Sequence, residues 1–409
     1  MKKKFIPAYL LTFVNVLGFS ILLPVLPFVV QNYGAPKWVY GFIVTCYSAF
    51  QFLGASYLGS LSDQKGRKSI LLFSQAGTLL SWLIFLAALF LPNFSVAGIA
   101  FPLFIIAGAR ILDGITAGNN SVTNAYLSDI TTKKEKSYIF GYMGGITGIG
   151  MIVGPTIGGF TASSSLGYKG TIIASILIST IALITIFFWL RESHPLEKRT
   201  KTQKNHFFYN LFILKKIKEV NPNPIIKLLF LLKFIFCIMS AFYISTIALF
   251  IIDLFDFNEK QLGKFMFIVG LFLAFNQAIV SKVVIKKLGE VNTLLIGFAL
   301  SFLGCILITL TKEIYTYCLF YYILNLGFSL CFPTFNSLIA IHGDAKNQGE
   351  IMGINDSILS FCMAAFPILA AYLYSQMSYS FYYITGIFPL LCFFIAIFMY
   401  NRFKVMKNS

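Results

Sequence analysis

Residues 141–160 read GYMGGITGIGMIVGPTIGGF, and residues 353–372 read GINDSILSFCMAAFPILAAY. Gly141 and Gly353 stand 212 positions apart, as do Pro155 and Pro367, and the same offset lays Asn124 over Asn336. Each stretch is apolar and close to the ~20 residues that a bilayer core requires of a helix. Agreement across two helix pairs, in the same topological sense, predicts a parallel repeat of two helical bundles.

Reading outward from this pair, apolar runs fall near 6–31, 39–61, 69–91, 96–127, 137–161, 170–190, 225–251, 261–281, 291–310, 315–341, 350–375 and 381–400. The predicted fold is all-α and integral to the membrane, with twelve transmembrane helices in two pseudo-symmetric six-helix bundles. Residues 1–190 form the first bundle, 191–224 a cytoplasmic linker and 225–409 the second bundle. Composition agrees: 57% of the 409 residues are hydrophobic and 11% charged, where a soluble domain is about a quarter charged. The mean hydropathy is +0.79. The linker is short for an independent fold. Within it Phe207, Leu211, Leu214 and Ile217 recur at helical spacing, which predicts an amphipathic surface helix over 206–220.

Loop charge sets the orientation. With the N-terminus in the cytoplasm, 25 of the 32 Lys and Arg fall in cytoplasmic segments and five on the opposite side, with Arg110 and Lys233 inside spans. This asymmetry accounts for the +17 net charge without nucleic acid as a partner. Lys2, Lys3 and Lys4 precede an apolar run that is too long for a signal peptide and lacks a small-residue cleavage site. Cys46, Cys237, Cys305, Cys318, Cys331, Cys362 and Cys392 all lie in apolar runs without metal-ligand spacing. No disulfide, metal or cofactor is expected. His194, His206 and His342 fall in loops. Most of the 21 Tyr and 45 Phe are expected to face lipid or the interfacial belt.

Three motifs carry more specific chemistry. Between spans two and three, Gly59-Ser-Leu-Ser-Asp63-Gln-Lys-Gly66-Arg67-Lys68 places an acid at a helix C-terminal end, where the dipole disfavours it. Arg67 or Lys68 across the Gly66 turn can answer it, and the cluster can latch a cytoplasmic gate. An ordinary positive-inside turn is the competing reading. In span four, Arg110 and Asp113 share a helix face, and an intramembrane ion pair marks a functional site by default. Ala117, Asn120 and Asn124 extend the stripe, so this helix is expected to show one polar face along its length and to line a cavity. A pair that only pins helix packing is the alternative. In span five, Gly150, Gly154, Pro155, Gly158 and Gly159 combine small-residue spacing, which permits close helix contact, with a proline that kinks the helix.

The loop 59–68, the Arg110-to-Gly114 motif and the ten residues 150–159 resemble three signatures of the major facilitator superfamily. The last resembles the antiporter signature of its twelve-span drug:proton antiporter branch. The stretch 110–160, with Ala125-Tyr-Leu-Ser-Asp129-Ile-Thr, is similar to tetracycline efflux proteins. Leu17-Gly18 with Pro24-Val-Leu-Pro27 resembles the first span of that branch, and Lys287-Leu-Gly289-Glu290 echoes the loop after span eight. Two departures stand out. Many such antiporters carry Asp in span one where this chain has Asn15, and spans three and nine hold no acid, where tetracycline exporters usually have one.

The resemblance implies alternating access and, with it, proton-coupled efflux of a small amphiphilic organic compound or drug. A monomer in the inner membrane is expected, and the loop charges put both termini in the cytoplasm. An integral-membrane enzyme or assembly factor is a competing class, but three loop histidines and scattered acids supply no catalytic constellation, so no enzyme activity is expected. An inward symporter of a metabolite, amino acid or siderophore is the alternative. Only Asp113 and Asp356 lie well inside spans, and Asp253 sits at the outer end of span seven. Burial and a neighbouring guanidinium act on a carboxyl in opposite senses, so Asp113, paired with Arg110, is the expected proton carrier. The second half replaces this pair with Tyr322 and Asn325. Asp356 is the second candidate. Asn15, Gln51, Asn120, Asn124, Asn325, Asn336 and Asn355 are the expected cavity amides. Asp63, Gly66, Arg67, Lys68, Gly154, Pro155, Gly158 and Gly159 are the expected gating residues. For Lys233, snorkelling to the interface, an anion contact and a pair with Asp356 all stand open.

Overall fold

The computed structural model describes residues 5–132, 136–195, 197, 199, 213–343 and 347–408. The protein is a multi-pass helical membrane protein. Its helices are α1 (Ile6–Ser20), α2 (Leu26–Asn32), α3 (Lys37–Lys65), α4 (Arg67–Ala88), α5 (Phe101–Ala117), α6 (Asn119–Ile130), α7 (Lys136–Ala162) and α8 (Tyr168–Trp189). They continue as α9 (Ile213–Val220), α10 (Pro224–Phe255), α11 (Glu259–Phe275), α12 (Ser281–Leu307), α13 (Ile314–His342), α14 (Gln348–Ala365), α15 (Pro367–Met377) and α16 (Phe381–Asn408). Among the described residues nine helical stretches are long and apolar enough to cross a membrane. The eighth and ninth crossings run together as Glu259–Leu307. The last stretch, Pro367–Phe398, joins α15 to α16. With α1 and α2 as the first crossing, α14 and α15 as the eleventh and α16 as the twelfth, the described helices make up twelve crossings.

The breaks have sequence causes. Span one was expected to be continuous. It interrupts at residues 21–25 because Pro24 and Pro27 cannot donate to the preceding turn, and Pro27 instead opens α2. Span four was expected to begin at residue 96. Ser95–Val96 and Ile99–Ala100 instead pair as a two-stranded hairpin through Ala97 and Gly98, both at positive φ. The crossing then starts at Phe101, with Pro102 in its first turn. At Gly118 (φ −60, ψ −7) α5 gives way to α6. The helix α7 runs through Pro155, whereas its repeat partner Pro367 starts a new helix after Phe366. The junctions α3–α4 and within α12 share one device: Gly66 (φ 95, ψ 151) and Gly289 (φ 76, ψ 165). Both adopt a positive φ that only glycine takes cheaply. The expected surface helix appears over Ile213–Val220 with no buried residue; Phe207 and Leu211 lie outside the described residues, as does His206.

The chain forms two compact units, Met1–Leu211 with Phe257–Phe267, and Phe212–Asp256 with Ile268–Ser409. In the first, Phe5, Tyr9, Leu58, Leu71, Val122 and Ile186 belong to one buried cluster. In the second, Phe236 packs against Phe298, Phe328, Phe332 and Phe335 with ring centroids 5.5–6.0 Å apart. Tyr317, Tyr321, Tyr374 and Tyr382 are buried too. The expectation that the aromatics mostly face lipid or the belt holds for Tyr315, Tyr372 and Tyr383, which are exposed, but not for Tyr243, Tyr317, Tyr321, Tyr374 and Tyr382, which are core residues. Tyr243, Tyr321, Tyr374 and Tyr382 find hydroxyl or carboxylate partners there.

Candidate functional site

In the first unit the charges of span four are set by close helix contact. A Cβ on Gly114 would overlap the Tyr47 carbonyl oxygen, and one on Gly118 would stand 2.5 Å from the Ala55 nitrogen. Glycine therefore lets α5 lie directly on α3. That approach lays the Arg110 guanidinium on the Tyr47 ring, 4.1 Å from its centroid, and 5.7 Å from that of Trp82. Desolvated contacts of this kind contribute up to ~2 kcal/mol. Arg110 also pairs with Asp113, and each side chain is 5% exposed. The Thr78 hydroxyl of α4 reaches the same carboxylate, and Gln51 Nε2 donates to Tyr47 Oη at 3.0 Å. Arg110 Nε is buried without a hydrogen-bond partner. Arg110 and Tyr47 line a small apolar cavity with Phe19, Leu22, Leu26 and Tyr40.

Beside it, Asn15 Nδ2 donates to Asn119 Oδ1 at 2.7 Å and to Asn120 Oδ1 at 3.1 Å. Asn119 is fully buried and was missed in the sequence. The helix break at Gly118 turns it inward, and nothing in its local pattern separates it from Asn120. The continuous polar stripe expected along span four is corrected by the same break. Arg110 and Asp113 are buried, Asn120 is half-buried and Asn124 is exposed on α6.

At the expected gate, Arg67 is buried and gathers three partners. It meets Asp63 at 2.6 Å, Asp129 at 3.2 Å and the Ser62 hydroxyl at 2.5 Å. Glu192 then accepts from the backbone nitrogens of Arg67 (2.9 Å) and Lys68 (3.1 Å), which caps the start of α4 with a negative charge where the dipole favours it. Lys68 Nζ donates to the Phe187 carbonyl at 2.9 Å. Asp129 and Glu192 were not among the expected gating residues; they arrive from distant segments, and no local spacing links them to Arg67.

The span-five glycines are packing surfaces. A Cβ on Gly150 would stand 3.0 Å from Val16 Cγ1, and one on Gly154 2.9 Å from Ser20 Cβ; one on Gly158 would overlap the Ile21 carbonyl oxygen. All three face span one. Gly159 faces Gly263, where a Cβ would stand 2.9 Å from the opposing Cα, and a Cβ on Gly263 would stand 2.8 Å from the Pro155 carbonyl oxygen.

In the second unit Asn355, 1% exposed, donates through Nδ2 to Asn336 Oδ1 (3.0 Å) and Asp356 Oδ1 (3.2 Å). Its own Oδ1 is buried without a partner. Asp356 and Asn336 are exposed. Lys233 is 2% exposed, which rules out snorkelling. Asn325 is buried on α13 with Oδ1 unpartnered and is not joined to the other amides. Tyr322, the counterpart of Arg110, donates to Asn276 Oδ1 at 3.0 Å. Asn276 sits at a one-turn π-helix, Asn276–Val280, a feature frequent at functional sites that sequence periodicity does not reveal. Tyr374 donates to Asp253 at 2.6 Å and the Tyr382 hydroxyl stands 3.1 Å from that of Thr246, while the Tyr243 and Tyr321 hydroxyls meet directly.

Charged and amide side chains thus lie inside the membrane-spanning bundles, and glycines set the helix contacts around them. The chain belongs to the major facilitator superfamily, whose family model matches residues 8–367. It is 29% identical to the class H tetracycline resistance protein of Pasteurella multocida over 382 residues, 92% of this chain and 90% of that one. It is 25% identical to the class B tetracycline resistance protein of Escherichia coli over 379 residues, 90% and 88% of the two chains. Its fold is similar to that of the human organic anion transporter MFSD10 (TETRAN), with a TM-score of 0.70, 22% identity, and 97% and 99% of the chains covered.

Proposed function

We propose that the protein exports a small amphiphilic organic compound in exchange for protons, by alternating access, with Asp113 as the proton carrier. The observation that carries this reading is the Arg110–Asp113 pair, enclosed by Tyr47, Trp82 and Thr78 inside the first bundle. A proton on Asp113 ends its ion pair and leaves a buried guanidinium facing the Tyr47 ring. Rearrangement of α5 against α3 then follows, because an uncompensated buried charge is strongly unfavourable. Asn15 cannot titrate and acts as a hydrogen-bond donor to Asn119 and Asn120, so coupling falls to span four. The Arg67 cluster acts as the cytoplasmic latch, and Asn15, Gln51, Asn120, Asn124, Asn325, Asn336 and Asn355 supply the polar points of the substrate path.

Relatives named as tetracycline resistance proteins favour export over uptake. The spans of this chain lack their usual acids in spans three and nine, which favours a compound other than tetracycline. The protein works as a monomer in the inner membrane, its halves joined by the cytoplasmic segment 191–224 and both termini cytoplasmic. Proteoliposomes with an imposed pH gradient test the direction: a dye or drug moves against the proton flow, whereas accumulation with the protons would establish symport.

A further inference from the structure

The second bundle buries a charge that the proton step does not use. The Lys233 ammonium on α10 lies 4.7 Å from the Phe332 ring centroid and 5.1 Å from that of Phe335. Its electrostatic neighbours are the thiols of Cys237 and Cys331 and one acid, Asp356. No carboxylate among the described residues comes within ion-pair distance of it. The helix α10 packs on α14, which carries Asp356 exposed and held by the Asn355 amide. Asn355 spends both donors on Asn336 and Asp356, so its buried Oδ1 is left as a free acceptor.

An ammonium in an apolar core without a counter-ion is costly, and two ring faces offset only part of that cost. Methionine would fill the same space without it. The charge is explained if something anionic reaches it during the transport cycle. Aromatic faces beside the ammonium, with an acid and an acceptor oxygen one helix away, match a flat molecule with a negative group and a positive or donor group apart from it.

We infer that Lys233, with Phe332 and Phe335, is an anion-binding subsite for substrate, so that the compounds carried are aromatic carboxylates or enolates, zwitterions among them meeting Asp356 as well. This rests on the exporter reading for its biological sense, but binding tests it separately. Three xanthene dyes hold the ring system nearly constant and vary the charge: fluorescein (anion), rhodamine B (zwitterion) and rhodamine 6G (cation). Fluorescence anisotropy with the purified full-length protein reads their affinities. Lys233→Met is expected to weaken fluorescein and rhodamine B by about tenfold or more and to leave rhodamine 6G within about threefold. Lys233→Arg should retain the anionic dyes, and thermal unfolding of Lys233→Met should occur at or above the wild-type temperature. Equal weakening of all three dyes, unchanged binding by Lys233→Met, or no binding of either carboxylate dye by the wild type would overturn the inference. Lys233-dependent binding without transport against a pH gradient would overturn the exporter reading alone. Export of rhodamine 6G without Lys233-dependent binding would overturn the subsite alone.

Discussion

Arg110 keeps its charge in a bundle core because the Asp113 carboxylate and the Tyr47 ring both answer it. Removing one member leaves the other buried and unmatched, which typically costs about 3–5 kcal/mol. Arg110→Gln should therefore destabilise the protein by that order, while Arg110→Gln with Asp113→Asn should recover a substantial part of the loss. Chemical denaturation of the purified variants checks this, and additive losses in the double variant would deny the coupling. The pair was legible in the sequence from its i, i+3 spacing in an apolar run. Asn119 was not legible: its inward aim depends on the turn at Gly118, and the nearby Asn120 and Asn124 carry the same local signal.

At the scale of elements, the glycine signatures translate directly into helix contacts. Gly158→Ala puts a methyl group onto the Ile21 carbonyl; backbone cannot yield cheaply there, and overpacking of this kind costs about 1–3 kcal/mol. Gly144, with open space at its Cβ position, is the matched control on the same helix. A fall in unfolding temperature for Gly158→Ala but not Gly144→Ala is the expected result. Beside Arg67, Glu192→Ala removes the acceptor for two backbone nitrogens at the start of α4 and should cost about 1 kcal/mol, as loss of a helix cap does. The sequence showed the Asp63–Arg67 pair because its ends lie four residues apart, either side of Gly66. It hid Glu192, which stands 125 residues further along the chain, just after α8. Hydropathy also ran past the hairpin at residues 95–100, since Val96 and Ile99 are apolar whether they sit in a helix or a two-residue strand.

At the scale of the whole molecule, the apolar runs and the 212-residue repeat made the helical membrane fold legible in the sequence. The repeat is looser in structure than in sequence: α7 runs through Pro155, while Pro367 separates α14 from α15. The tyrosine-rich core of the second bundle was not legible, because a tyrosine in an apolar run reads equally as belt or core until its hydroxyl partner is known. The positive-inside asymmetry predicts that a cysteine at Lys312 is labelled from outside intact cells by an impermeant maleimide, and one at Lys286 only after the membrane is opened. The reverse pattern would invert the topology.

Coupling by span four is the central claim, and Asp113→Asn tests it most directly. The substitution preserves shape and removes the titratable group. In proteoliposomes the variant is expected to be less stable, because Arg110 is left unmatched, but to remain folded and bind substrate while losing substrate movement driven by an imposed pH gradient. Gradient-driven transport at the wild-type rate by Asp113→Asn would contradict it and place the proton on another residue.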